Sequence, residues 1–291
     1  MELNQLRSFR MIADLKSFSR AAEQLHLTQP AVTLQIKNLE EELGQLLFER
    51  LGHTLGLTAA GEVLLSYARQ ILNLTETATE TIRQFSESRG RITIGAGTTN
   101  TIFRLPRILH KYRESHPQVE IRIRNGASDL IWKLVYENAV DLGLVTTMNP
   151  EHNLNTVPLF QDRISLIAPR NSSSRITIEE LETQSLIMFR SGSGFHQFLV
   201  DRFREYQFKP NITMELESIE AIIRLVQSGL GLAFLPEIAV LPELQSGELI
   251  QVEIKEWSVM IRQTYLIYRR DKYLTWPIKA FLNHLTPENV F

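Results

Sequence analysis

Three groups of side chains have the types and spacing to do chemistry, and all three are suited to binding. The run GAGTTN at 95–100 places Thr98, Thr99 and Asn100 after an apolar stretch and before a helical one. Hydroxyls, an amide and early backbone N–H groups at such a point form a good anion site. Ser128 follows a second apolar stretch, and Thr146 with Thr147 a third. The run RSGSGF at 190–195 is a second donor-rich helix start: Arg190 adds a cation, Ser191 and Ser193 add hydroxyls, and Phe195 is a wall or a core residue. In the third group, Gln29, Thr33, Gln35 and Lys37 share the outer face of one helix. Amides and hydroxyls can read base edges there, and lysine can meet phosphate.

Reactive constellations are missing. GAGTTN lacks the third glycine of a dinucleotide fingerprint, and the following strand ends at Asn125 rather than at an acid for a ribose. SGSGF is not a nucleophile elbow. The seven histidines are scattered without metal-ligand spacing, and there is no P-loop. With no cysteine, disulfides and thiol chemistry are out, which fits a reducing compartment. No catalytic residue, metal or cofactor is expected.

The 291 residues allow roughly two domains. Apolar residues at 43% and charged residues at 22% are ordinary for a globular chain. A net charge of -2 excludes a wholly basic nucleic-acid binder but leaves room for a local basic patch. No apolar run approaches the ~20 residues that cross a bilayer, and the N-terminus lacks a secretory apolar core. A cytoplasmic protein with no membrane partner is expected.

The elements that position these groups fall into three blocks. Residues 1–57 read as short helices: Leu3, Leu6, Phe9 and Ala13 mark the first, Ser17 or Ser19 caps the second, and Thr28 caps the third. The third tolerates Pro30 in its first turn, buries Val32, Ile36, Leu39 and Leu43, and stops at Gly44. Residues 58–88 form one long helix capped by Thr58. Its seam is Leu57, Gly61, Leu64, Ala68, Ile71, Thr75, Ala78, Ile82 and Phe85, a heptad pattern. The seam either lies on its own domain or pairs with a second chain, and so strict a period favours the second.

From Arg91 strands and helices alternate. Strands are predicted at 91–96, 119–124 and 141–145, with helices at 105–114 and 130–137. A second set has strands at 163–168, 186–189, 212–216, 232–235 and 264–268, and helices at 195–206, 219–228 and 277–285. Such alternation implies parallel sheets covered by helices, in two lobes with a cleft between them. The crossovers near 147–162 and 260–263 would be hinges.

From spacing alone, 17–43 fits either a plain helical hairpin or a winged helix-turn-helix, with Ala21 and Ala22 at the crossing and Leu27 in the turn. The wider string decides. The core SFSRAAEQLHLTQPAVTLQIKNLEEELG, followed by LFER and LTAAGE, closely resembles the N-terminus of the LysR-type transcriptional regulators over about 60 residues without a gap. The resemblance implies that residues 28–37 enter the major groove, making Thr28, Gln29, Pro30, Ala31, Thr33, Gln35 and Lys37 the DNA-binding set. It also implies a wing around 49–54, with Arg50 on the DNA backbone. Where the family commonly carries a second basic wing residue, this chain has His53. Residues 1–89 hold nine Lys or Arg against eleven Asp or Glu, so phosphate contacts must come from few residues, Arg50, Lys37, Arg20 and His53.

The resulting expectation is an α + α/β chain. A winged helix-turn-helix (1–58) leads through a dimerising linker helix (59–89) to a two-lobed, periplasmic-binding-protein-like effector domain (90–291). Lobe I takes about 90–161 and 266–291, and lobe II about 162–265. The function expected is sequence-specific regulation of transcription, modulated by a small anionic metabolite held by Thr98, Thr99, Asn100, Ser128, Thr147, Arg190, Ser191, Ser193 and Phe195. Double-stranded DNA and a second copy of the chain, as homodimer or homotetramer through Leu64, Ala68, Ile71, Ala78, Ile82 and Phe85, are the expected partners. The rival is a small-molecule-binding protein or enzyme built on the two-lobe domain.

Overall fold

The computed structural model describes residues 1–51, 54–86, 90–149, 154–191 and 193–285. The chain divides into two compact units, Met1–Gly90 with Lys133–Val140, and Arg91–Trp132 with Asp141–Phe291.

In the first unit, α1 (Leu3–Leu15), α2 (Phe18–Gln24) and α3 (Gln29–Leu43) precede a hairpin of β1 (Phe48–Leu51) and β2 (Thr54–Leu57), and the long helix α4 (Ala59–Ser86) follows. Local chemistry sets each boundary. Ser17 Oγ accepts from the Arg20 N–H, and Thr28 Oγ1 accepts from the Ala31 N–H. Gly44, at φ 66°, ends α3 with its N–H on the Glu40 carbonyl. The helices cross on Ala21 and Ala22, buried against Phe9, Val32 and Leu39. Only small side chains allow so close an approach.

The α4 heptad faces two ways. Ala68 and Leu72 are buried in the N-terminal core, and Leu64 and Ile71 pack against it. Ala68 and, in part, Leu64 and Ile71 therefore serve the chain's own core, which is the first of the two roles open to the seam. The exposed apolar side chains are Val63, Tyr67, Leu74 and Ile82, with Ala78 exposed between them. The Phe85 side chain lies outside the described residues.

Gly61 holds α4 to the hairpin. A Cβ there would lie 2.2 Å from the Leu47 carbonyl oxygen. That oxygen is backbone and also accepts the Thr58 N–H, so it cannot give way. Gly61→Ala is expected to destabilise the first unit by about 1–3 kcal/mol. Thermal unfolding followed by circular dichroism would show a midpoint several degrees lower, and an unchanged midpoint would contradict the close packing.

The second unit starts with β3 (Arg91–Ala96), a π-helical turn (Asn100–Arg104), α5 (Leu105–Ser115), β4 (Glu120–Asn125), α6 (Ser128–Tyr136, whose end falls in the first unit) and β5 (Leu142–Val145). A long strand, β6 (Leu154–Pro169), leads to β7 (Arg175–Ile176), α7 (Ile178–Glu182), β8 (Leu186–Phe189), α8 (Gly194–Glu205), β9 (Ile212–Leu216) and α9 (Ile219–Gln227). The chain finishes with β10 (Ala233–Pro236), α10 (Glu237–Ser246), β11 (Leu249–Ile254), β12 (Met260–Arg269) and α11 (Trp276–His284).

The pairing differs from two separate parallel sheets. One mixed sheet runs β4-β3-β5-β12-β6-β11-β7, and β10 joins the other edge of β6. Pairing is parallel for β3 with β4 and β5, and antiparallel where β6 meets β10, β11 and β12. Lobe II also has a two-stranded parallel pair, β8 with β9. The crossovers expected as hinges lie largely inside β6 and β12. Asp162 pairs with Arg262 and Gln161 with Gln263, and the register shifts between Thr264 and Tyr265. A strand pair with a bulge thus joins the lobes, and a bulge locally bends and twists such a pair. Ile92, Ile94, Tyr112 and Phe281 centre the core of lobe I. Ile164, Leu199, Phe203 and Phe234 centre a core of lobe II.

Candidate functional site

The N-terminal unit presents α3. Its buried stripe is Val32, Ile36 and Leu39. Gln29, Pro30, Thr33 and Lys37 are exposed, while Ala31 and Gln35 are half-buried. Both glutamine amides are engaged: Ser19 Oγ donates to Gln29 Oε1 at 3.3 Å, and Ser8 Oγ to Gln35 Oε1 at 2.5 Å. Thr28 is spent as the helix cap. Lys37 makes only a solvent-exposed pair with Glu41, at 3.5 Å, and such pairs are weak enough to be given up to a phosphate. Arg50 lies in β1 opposite Leu55, though its side chain and all of His53 lie outside the described residues.

In the second unit, a cavity of about 200 Å³ opens at the carboxyl ends of β3, β4 and β5, where the strand order reverses. Thr98, Thr99, Asn100, Ser128, Ser193 and Phe195 line it, as the sequence predicts. Thr147, Arg190 and Ser191 do not. The Thr147 carbonyl is instead turned to the Trp132 indole N–H at 2.9 Å, and Arg190 forms an exposed ion pair with Glu217. Some lining hydroxyls already have structural work. Ser193 Oγ caps α8 by accepting the His196 N–H, and Ser128 Oγ accepts the Thr146 N–H at 3.1 Å.

The cation of this cavity is Arg262, from β12. It is 8% exposed. One Nη2–H donates to Thr146 Oγ1 at 2.6 Å, and the guanidinium lies 4.8 Å from the centre of the Phe195 ring. Its register partner Asp162 is ion-paired instead to Arg104, whose guanidinium stacks on Phe160. Two buried cations thus share one buried carboxylate, and the surplus charge faces the cavity. Burial pulls the Arg262 pKa down to about 10, opposed by the field of Asp162. The group is charged at neutral pH, without a carboxylate in ion-pair contact among the described residues. Beside it, Asn100 is 2% exposed and its Oδ1 has no hydrogen-bond partner. This residue opens the π-helical turn, and such turns are frequent at functional sites.

The sequence reading missed Arg262, because period alone does not show which parity of β12 is buried. On β12, Met260, Arg262, Thr264 and Leu266 are the buried parity, so an arginine stands where an apolar residue is expected. A larger groove of about 590 Å³ runs along β6 and β11. Its two arginines are paired, Arg163 with Glu237 at 3.4 Å and Arg175 with Glu253 at 2.8 Å, so it offers no surplus charge.

A winged helix-turn-helix with a long helix and a two-lobed α/β ligand-binding fold defines a DNA-binding transcriptional regulator with a separate effector domain. Residues 3–62 match the model of the bacterial regulatory helix-turn-helix proteins of the lysR family, and residues 85–289 match the LysR substrate binding domain. The chain belongs to the LysR family of transcriptional regulators. It is 32% identical to the HTH-type transcriptional regulator YwqM of Bacillus subtilis (strain 168), over 97% of this chain and 98% of that one. It is 30% identical to the transcriptional activator CmpR of Synechocystis sp. (strain ATCC 27184 / PCC 6803 / Kazusa), over 97% and 94%. Its fold matches full-length CbnR in complex with its target DNA at a TM-score of 0.68, with 23% identity over 98% of this chain and 99% of that one. The family and these relatives are regulators, not enzymes. Among the described residues no helix is long and apolar enough to cross a membrane.

Proposed function

We propose that this regulator binds DNA as a dimer joined along α4, with α3 in the major groove, and that a small organic anion held against Arg262 sets its activity. The observation that carries the effector reading is the buried guanidinium in the cavity, which no carboxylate contacts among the described residues although Glu217 is in the lining. Buried charges are normally paired, so a site that keeps one unpaired and open to a cavity is suited to a ligand of opposite charge. Thr99 adds a hydroxyl, and Phe195, Leu144 and Ile219 add apolar wall. An anion bound there would draw the two lobes onto it and shift the population of closed domains. Support for DNA reading comes from the exposed Gln29, Pro30, Thr33 and Lys37 of α3 and from CbnR, a fold neighbour crystallised with its target DNA.

The test is a thermal-shift series on the full chain with small carboxylates, small phosphates and neutral polyols of equal size. Stabilisation by a subset of the anions is expected, and at a hundred times Kd it should reach about 2.7 kcal/mol. Stabilisation by neutral compounds alone would overturn the anion reading.

A further inference from the structure

The outward centre of α3 is apolar. Pro30, Leu34, Lys37 and Glu41 follow one another at spacings of four, three and four, on the face opposite Val32, Ile36 and Leu39. Leu34 is 58% exposed, with Pro30 and Thr33 exposed beside it. Charge limits the part of this face that can approach DNA: beyond Lys37 the row ends at the exposed Glu41, which repels phosphate. The usable footprint is therefore Pro30, Thr33, Leu34 and Lys37. The half-buried Gln35 amide, which would otherwise read adenine, has its oxygen taken by Ser8, and bidentate reading of adenine uses oxygen and nitrogen together.

We propose that Leu34 selects a thymine in each half-site by packing on its C5-methyl group, with the Pro30 ring and the Thr33 methyl completing an apolar patch around it. Thymine is the base whose major-groove edge carries a methyl, and apolar side chains distinguish it on that ground. The inference rests on α3 lying in the major groove.

The experiment uses the full chain and duplexes it selects from a random pool. Each thymine of the selected site is replaced in turn by deoxyuridine, which removes one methyl and leaves base pairing intact. For wild type, one thymine per half-site should be found whose replacement weakens binding about fourfold, and about fifteenfold when both half-sites carry it. In Leu34→Ala the same replacement should have no effect, and the variant should bind the thymine duplex about as the wild type binds the deoxyuridine one. Leu34 is exposed and alanine favours helix, so folding is unaffected. Two results overturn the proposal: a site at which no methyl matters, or a methyl whose loss penalises wild type and Leu34→Ala equally. Failure of the wild type to select any sequence would instead overturn the placement of α3 in the groove, and this proposal with it.

Discussion

Replacing Arg262 by glutamine is expected to weaken binding of the stabilising anion by about 3 kcal/mol, roughly 150-fold, because it removes a charge-assisted contact in a buried site. The fold should not suffer in proportion. Asp162 keeps its ion pair with Arg104, so no buried carboxylate is orphaned, and the cost of burying the second guanidinium disappears. Arg262→Gln should therefore match or exceed the unliganded wild type in unfolding midpoint while losing the ligand-induced shift. Arg262→Lys keeps a charge but loses the planar fork over Phe195, and should fall between the two. DNA affinity without ligand should hold, because α3 belongs to the other unit. Calorimetric titration with the active anion is the measurement. Wild-type affinity in Arg262→Gln would place the anion elsewhere, and a collapsed midpoint would make Arg262 a structural residue.

Charging the exposed stripe of α4 is expected to have the second large effect. Leu74 and Ile82 are 62% and 69% exposed in the single chain, so glutamate at both positions costs the protomer little. In a paired helix the same side chains would be buried, and unpaired charge there is costly. Leu74→Glu with Ile82→Glu should dissociate the protein in analytical ultracentrifugation. It should also reduce affinity for a two-half-site duplex by about 10²–10⁴-fold, since the second head no longer binds at high effective concentration. Ala68→Glu offers the contrast. Ala68 is fully buried in the N-terminal core, so that change should unfold the first unit rather than separate two folded chains. A tight dimer with normal DNA binding in the double variant would show that α4 is not the pairing surface.

Much of the chain was legible before any coordinates. Helix caps and stops are local events, so Ser17, Thr28, Gly44 and Thr58 could be read as boundaries from residue type alone. Strand and helix alternation in the second unit follows from hydrophobic period, and β3, β5, β8 and β9 lie where the pattern puts them. The donor-rich loops at Thr98–Asn100 and Ser193 line the cavity because in parallel α/β topology the carboxyl ends of the strands converge.

Tertiary structure decided what depends on partners distant in sequence. Heptad spacing marks Ala68 and Ile82 alike as seam positions, but only packing against α1 shows that Ala68 is spent inside its own unit while Ile82 is left open. Strand direction was likewise undetermined by period. β6 and β12 run antiparallel through both lobes, and their register sets Arg262 across from Asp162. Arg190 adjoins a glycine-serine loop, which makes it the cation that the sequence favours, but in the fold it is an exposed partner of Glu217 and does not line the cavity. Arg262 sits in an ordinary-looking strand and gains its meaning when Asp162, 100 residues before it, is claimed by Arg104. A side chain's type and local periodicity are set by the sequence around it. Its burial and its surplus charge are sums over neighbours that only the folded chain brings together.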